Sequence, residues 1–287
     1  MTETLSWTDV DGAVTVLTDD GTVGAAYGLE GRFMPPTEVA YQTSQVAAGG
    51  TVTLVRHDVR ELAVPIEVWA EDQTAFRAAL RSLALTFNAT RGDGTFTATG
   101  PDGTSRQLTC RYVGGLAPIE DWSAFNAHVT TVVVVLRAHD PYWTDVAPQT
   151  DTFAAGEQGL WLPWPPVTVL PDGVFASARV VNAGDVVAWP VWTITGPATT
   201  LKILNRTSGL KIVLAAAIGA GQTVTIDTRP GVKSVADSAG ANRFASLTST
   251  SRLWPFVAGP NIVEISFTGQ SDDTAVDLSW RRRWLTA

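Results

Sequence analysis

One cysteine in 287 residues, Cys110, excludes an intramolecular disulfide framework and a zinc site built from several thiolates. The fold must rest on packing. Cys110 alternates with Leu108 and Tyr112, which points it to the apolar face of a strand as an inert core residue. Histidine is equally scarce: His57, His128 and His139 show no His-x-His or His-x-x-x-His spacing, and no metal site is assigned. His139 precedes Asp140, which could orient an imidazole as a base, but no Gly-x-Ser-x-Gly elbow or comparable nucleophile accompanies the pair. It reads as the end of a strand. There is no glycine-rich phosphate loop entering a helix, and no run approaches the roughly 20 apolar residues needed to span a bilayer. The start Met1-Thr2-Glu3-Thr4 lacks the basic character of a secretory signal, so the expectation is a soluble protein made in the cytoplasm. A net charge of -8 argues against general nucleic-acid binding, which needs clustered Lys and Arg. The one basic run is Arg281-Arg282-Arg283, a solvated strand end or a contact with a neighbour. Acidic residues are plentiful, but Glu120-Asp121, Asp272-Asp273, Asp9-Val10-Asp11-Gly12 and Asp19-Asp20-Gly21 have the make-up of turns rather than of paired catalytic acids or a calcium loop. Catalytic, cofactor-binding and metal residues are therefore none, ligand-binding residues stay unassigned, and the chain is not expected to be an enzyme.

What is present is strand. At this length, with 45% apolar and 17% charged residues, two domains are expected. The run from Val129 to Leu136 holds only Val, Thr and Leu, the composition of a strand buried on both faces, and Pro141 closes it. On that reading Val133→Asp should abolish folding of the first domain. Beyond Trp143 the texture changes to Pro148, Pro163, Pro165, Pro166 and Pro171, a connector, which puts the boundary between residues 1–147 and 148–287.

Helical periodicity occurs once, from Asp72 to Asn88, where Phe76, Ala79, Leu80, Leu83 and Phe87 recur at three- and four-residue spacing and Asp72 suits an N-cap. Around it lie a strand over Leu62–Val68, with Pro65 suggesting an edge or bulge, and a hairpin of 94–99 and 106–113 turning at Pro101-Asp102-Gly103-Thr104. The segment Ser44–Arg60 reads as a strand pair or an extended arm, and Gly114–Asn126 as a projecting loop suited to partner contact. The second half shows seven short strands and no convincing helix: 178–182, 190–195, 201–205, 211–214, 222–227, 261–267 and 274–280. The fold class is mainly β, two β-sandwich domains, the first with one α-helix. Tryptophan is abundant, 11 in all, with Trp161, Trp164, Trp189, Trp192, Trp254, Trp280 and Trp284 in the second half. Indoles could stack on sugar faces there, which would make a carbohydrate-binding adhesion module, or fill a core or interface, the reading preferred.

Several phrases in order resemble the distal tail proteins of long-tailed siphophages, especially the minor tail proteins of actinobacteriophages. They are Leu62-Ala63-Val64-Pro65-Ile66, the helix Phe76–Phe87, the turn from Thr99 to Arg106, and Ala138-His139-Asp140-Pro141-Tyr142-Trp143. Asn182-Ala183-Gly184-Asp185, Trp189-Pro190 and Gly196-Pro197 follow. The resemblance covers nearly the whole chain. It implies a belt-like first domain that closes a homo-hexameric ring around the tail lumen, and a galectin-like second domain outside it. Implied partners are further copies of the chain, the tail tube protein and hub proteins of the tip or baseplate; tape measure protein and DNA would pass through the lumen without specific binding. No ring-interface residue and no cofactor is implied, and the chain lacks the large insertions that carry carbohydrate-binding modules in some relatives. The expected place is the virion tail tip. Net negative charge is consistent with an acidic lumen that DNA does not adhere to.

Overall fold

The computed structural model describes residues 3–17, 22–43, 48–117, 129–154 and 175–287. The chain divides into two units, residues 1–146 together with 284–287, and residues 147–283.

The first unit is built on one sheet. Its strands are β1 Thr4–Thr8, β2 Val14–Val16, β3 Val23–Ala25, β6 Arg60–Trp69, β7 Gly94–Thr99, β8 Ser105–Gly115 and β9 Val129–Ala138, in the order β2-β1-β7-β8-β9-β6-β3. A short β10, Trp143–Asp145, also pairs with β8. The helix α1 spans Gln73–Thr86, and the Asp72 carboxylate accepts from the Ala75 amide at 2.8 Å, satisfying one donor of the open first turn. Its periodic residues Phe76, Ala79, Leu80, Leu83 and Phe87 join the core formed by Trp7, Leu62, Val64, Ile66, Phe96, Leu108, Val134 and Leu136. Cys110 lies in that core, 2% exposed, and burial pushes its thiol up to about 12, so it stays protonated and inert.

The central strand corrects one expectation. β9 is buried on one face only: Val132, Val134, Leu136 and Ala138 face the core, while Val129 and Val133 are 53% and 43% exposed. A continuous valine run does not distinguish a two-faced strand from a one-faced strand whose outer face is also apolar. Val133→Asp would therefore place its carboxylate in water, and the loss of folding expected from the sequence does not follow. Pro65 sits at a break in the ladder, as an edge or bulge implies: pairing on the β3 side ends at Ala25 opposite Ile66 and resumes only at Glu30 opposite Ala63. Its carbonyl accepts from Ala26 at 2.8 Å, so its nitrogen faces the β3 side, where β3 has just ended and no ladder bond is lost.

Strands β4, Thr37–Thr43, and β5, Gly50–His57, pair only with each other, with a bulge between Ala40 and Tyr41. The segment read as a strand pair or an arm thus holds one strand of a pair, β5, whose partner β4 precedes it. The projecting loop expected up to Asn126 lies, from Pro118 onward, outside the described residues.

In the second unit, β11 Gln149–Ala154, β13 Val191–Thr195, β16 Thr223–Asp227, β17 Ser234–Asp237 and β19 Ala275–Trp280 form a sheet in the order β11-β19-β13-β16-β17. The others, β12 Ala176–Asn182, β14 Thr200–Asn205, β15 Leu210–Leu214 and β18 Gly259–Thr268, form a second, β12-β18-β14-β15. Strict alternation sends Trp192, Ile194, Val276 and Leu278 from one sheet and Val180, Ile203, Ile212, Val263 and Ile265 from the other into a single core. The seven strands read from sequence are all present. β11 and β17 were not foreseen, because QTDTFA and SVAD carry too few apolar residues to show an alternation. No helix is long and apolar enough to cross a membrane.

Candidate functional site

The chemistry-bearing residues do not converge. His57 donates to or accepts from the Tyr142 hydroxyl at 2.9 Å through Nδ1, and His139 and Asp140 are both exposed at the end of β9. His128 falls outside the described residues, as do Trp161, Trp164, Glu120-Asp121 and Asp19-Asp20-Gly21. Asp9 behaves as a turn residue, its Oδ1 accepting from Asp11 and Ala13 at 3.0 and 2.9 Å. Among the described residues, no group of His, Cys, Asp or Glu could hold a metal ion. Clefts beside Trp7 in the first unit and beside Ile218 in the second offer about 10 Å³ each, space for one water and none for a substrate.

Three of the tryptophans of the second unit are core, and Trp189 is half-buried. Trp192, Trp254 and Trp280 are at most 8% exposed and pack edge to face with Phe256 at centroid distances of 5.6 to 6.1 Å. Such rings have no face to offer a sugar. Of the indoles named for a carbohydrate site in the described part of this unit, only Trp189 keeps exposed surface.

The most unusual polar residue is one the sequence reading passed over. Arg60, first residue of β6, is fully buried, yet among the described residues no carboxylate pairs with it. Five main-chain carbonyls take its place. Nε donates to Pro141 at 2.6 Å, Nη1 to Gly31, Arg32 and Phe33 at 2.7, 2.9 and 2.5 Å, and Nη2 to Leu285 at 2.7 Å. The guanidinium also lies 5.9 Å from the Trp143 ring centroid, and the Trp143 indole donates to the Arg32 carbonyl at 3.0 Å. Desolvation lowers its pKa to about 10, which still leaves it charged at neutral pH. No sequence signal marks such a residue, since a strand-start arginine ordinarily faces solvent.

What Arg60 fixes is a loop, residues 26–36, which besides Glu30 exposes large apolar side chains: Tyr27, Phe33 and Met34 are 104%, 68% and 59% exposed. Pro35-Pro36 leads from it directly into β4. On the β4–β5 ribbon, Val39 lies opposite Val55 and Tyr41 opposite Val52, so these four share one face, and they are 47%, 59%, 67% and 56% exposed. The other face carries the Glu38–Arg56 ion pair with Ala40 and Leu54. A two-stranded ribbon with one apolar face and, among the described residues, nothing beneath it is a poor structure in water by itself. The base is firm, with Asp58 donating to the Pro36 carbonyl at 2.8 Å and His57 on Tyr142. An apolar ribbon exposed in this way is a candidate contact surface.

Comparison with known proteins shows the fold. Residues 183–284, about a third of the chain, match the family described as the siphovirus-type tail component, C-terminal domain. Over its whole length the structure is similar to the SPP1 Dit protein, described as a paradigm of the hub adsorption apparatus in phages that infect Gram-positive bacteria. The TM-score is 0.71 with 16% identity, covering 99% of each chain. The fold is Dit-like. Chains of the phage p2 baseplate in its activated conformation, solved with Ca and with Sr, align over 100% of both chains at TM-scores of 0.57 and 0.56 and 9% identity. No curated protein sequence matches the chain. The Dit family is structural and non-enzymatic. The mainly β fold with a single helix expected from the sequence is the one seen, and the likeness to siphophage distal tail proteins holds; nothing found supports the narrower likeness to phages of actinobacteria.

Proposed function

We propose that this chain is a non-catalytic hub component at the tip of a phage tail, whose copies close into a ring, hexameric by resemblance, joining the tail tube to the baseplate or tip. The observation that carries the reading is the β4–β5 ribbon, with Val39, Tyr41, Val52 and Val55 uncovered on one face. A ring of identical subunits needs a patch that meets a different patch on the next copy, and a projecting ribbon supplies one half of such a contact. The Dit-like fold and the tail-component match over 183–284 support it. So does the charge distribution. The first unit has twice as many acidic as basic residues, whereas the second is near balance. A ring made by the first unit would present an acidic wall to DNA and the tape measure protein. Tail tube and hub proteins are then its axial partners.

The test is the mass of the purified chain by light scattering, beside a Val39→Ser, Tyr41→Ser, Val55→Ser variant. We expect a ring-sized species for the native chain, and monomers with an unchanged melting temperature for the variant, because its side chains already face water. A native chain that stays monomeric at every concentration and is missing from tail tips in antibody-labelled virions would sink the proposal.

A further inference from the structure

The first unit holds the acidic surplus; the second holds a concentrated basic surface. Residues of the β12-β18-β14-β15 sheet that alternate with its buried positions point outward together, because register sets Arg179 opposite Ile262, Glu264 opposite Leu204, and Leu204 opposite Lys211. The face so formed carries Arg179, Lys202 and Lys211. Glu264 is the only acid on the four strands, and Arg206, just past β14, neutralises it at 2.8 Å. Three cations are left without an acid on their own sheet. The same face also carries apolar side chains, with Val181 and Ile262 each 47% exposed.

We propose that this outer face docks on the acidic first unit of a second copy of the chain, a contact additional to the ribbon and resting on the ring reading above. Charge complementarity selects the occupant. The first unit has no lysine at all, and Glu30, Glu67 and Glu71 are exposed and make no ion pair among the described residues. Beside Glu67 on the outer side of the first sheet stand the exposed Trp69 and Val133, so that surface also has apolar area to offer Val181 and Ile262. A nucleic acid or an anionic polymer would satisfy the cations but leave those apolar groups unmatched. The two patches differ, as a contact that repeats around a closed ring requires.

The lysine distribution makes the contact directly readable. Lys202, Lys211 and Lys233 are the only lysines, all in the second unit, and a zero-length carbodiimide joins lysine to Asp or Glu. Equal amounts of unlabelled and heavy-isotope-labelled full-length chain are mixed, dissociated, reassembled and cross-linked. The expected products are mixed-isotope links from Lys202 or Lys211 to acids within residues 1–146. In the full-length Lys202→Glu, Lys211→Glu variant, self-association weakens about tenfold with the melting temperature unchanged, and added salt weakens the native chain in the same direction. If copies associate but mixed links come only from Lys233 or from no lysine, this contact is overturned and the ring survives. Links confined to one isotope place the docking within a chain and also overturn it. A chain that never associates removes both.

Discussion

Arg60 illustrates how a charge can be buried without a counter-ion. Its five carbonyl acceptors supply partial negative charge from three separate stretches, residues 31–33, Pro141 and Leu285, and thereby tie them to one another. Arg60→Met would match its bulk but leave five buried acceptors without donors. The expected loss is about 3–5 kcal/mol, checked by urea unfolding of the full chain. Arg60→Lys should not restore it, because an ammonium has three donors on a point and cannot span the five sites. A variant as stable as the native chain would mean that water replaces the guanidinium at no cost. Little of this was legible in the sequence. Cys110 was, since alternation alone places it, whereas the partners of Arg60 are up to 225 positions away and leave no local trace.

At the scale of elements, local pattern fixed most of what can be seen. Asp72 and the three-and-four spacing set the helix, and alternation set seven strands of the second unit. Failures came where local pattern is silent about the second face. Val129 to Leu136 reads as doubly buried only because valine on the outer face looks the same as valine in the core. The structure yields a sharper pair of variants. Val134, fully buried between β6 and β8, should not tolerate Asp, with a penalty of several kcal/mol that leaves no folded protein. Val133→Asp, one residue away, should give soluble protein with a cooperative melt. Circular dichroism melts of the two check it, and equal behaviour would mean that the register of β9 is wrong by one. Of the β4–β5 ribbon only the β5 half fell within the segment read as a strand pair or an arm; β4 was not read, and the bulge after Ala40 breaks the simple alternation by which an apolar face would be recognised.

For the whole molecule, the decisive feature is the return of the last four described residues to the first unit. Trp284 donates from its indole to Asp145 at 2.8 Å, Arg106 lies 4.1 Å above the Trp284 ring and donates to the Thr286 carbonyl at 2.6 Å, and Arg60 holds Leu285. Trp284→Ala should therefore destabilise the first unit by about 3–5 kcal/mol while leaving the second unit's unfolding transition where it was. Differential scanning calorimetry of the full chain separates the two events. An unchanged first-unit transition would make the return incidental. Sequence could not show this closure, since Trp-Leu-Thr-Ala has no periodicity and its partners lie in another part of the chain.

That closure has a consequence for how the protein is made. The second unit is an insertion in the first, so a chain emerging from the ribosome can complete the later-encoded sandwich before the earlier-encoded sheet has its final strap. Arg60 waits, with a carbonyl site unfilled, until Leu285 has been synthesised and freed from the exit tunnel. A growing chain would thus gain its full set of first-unit contacts only once residues 284–287 have left the exit tunnel, after the whole second unit has been made.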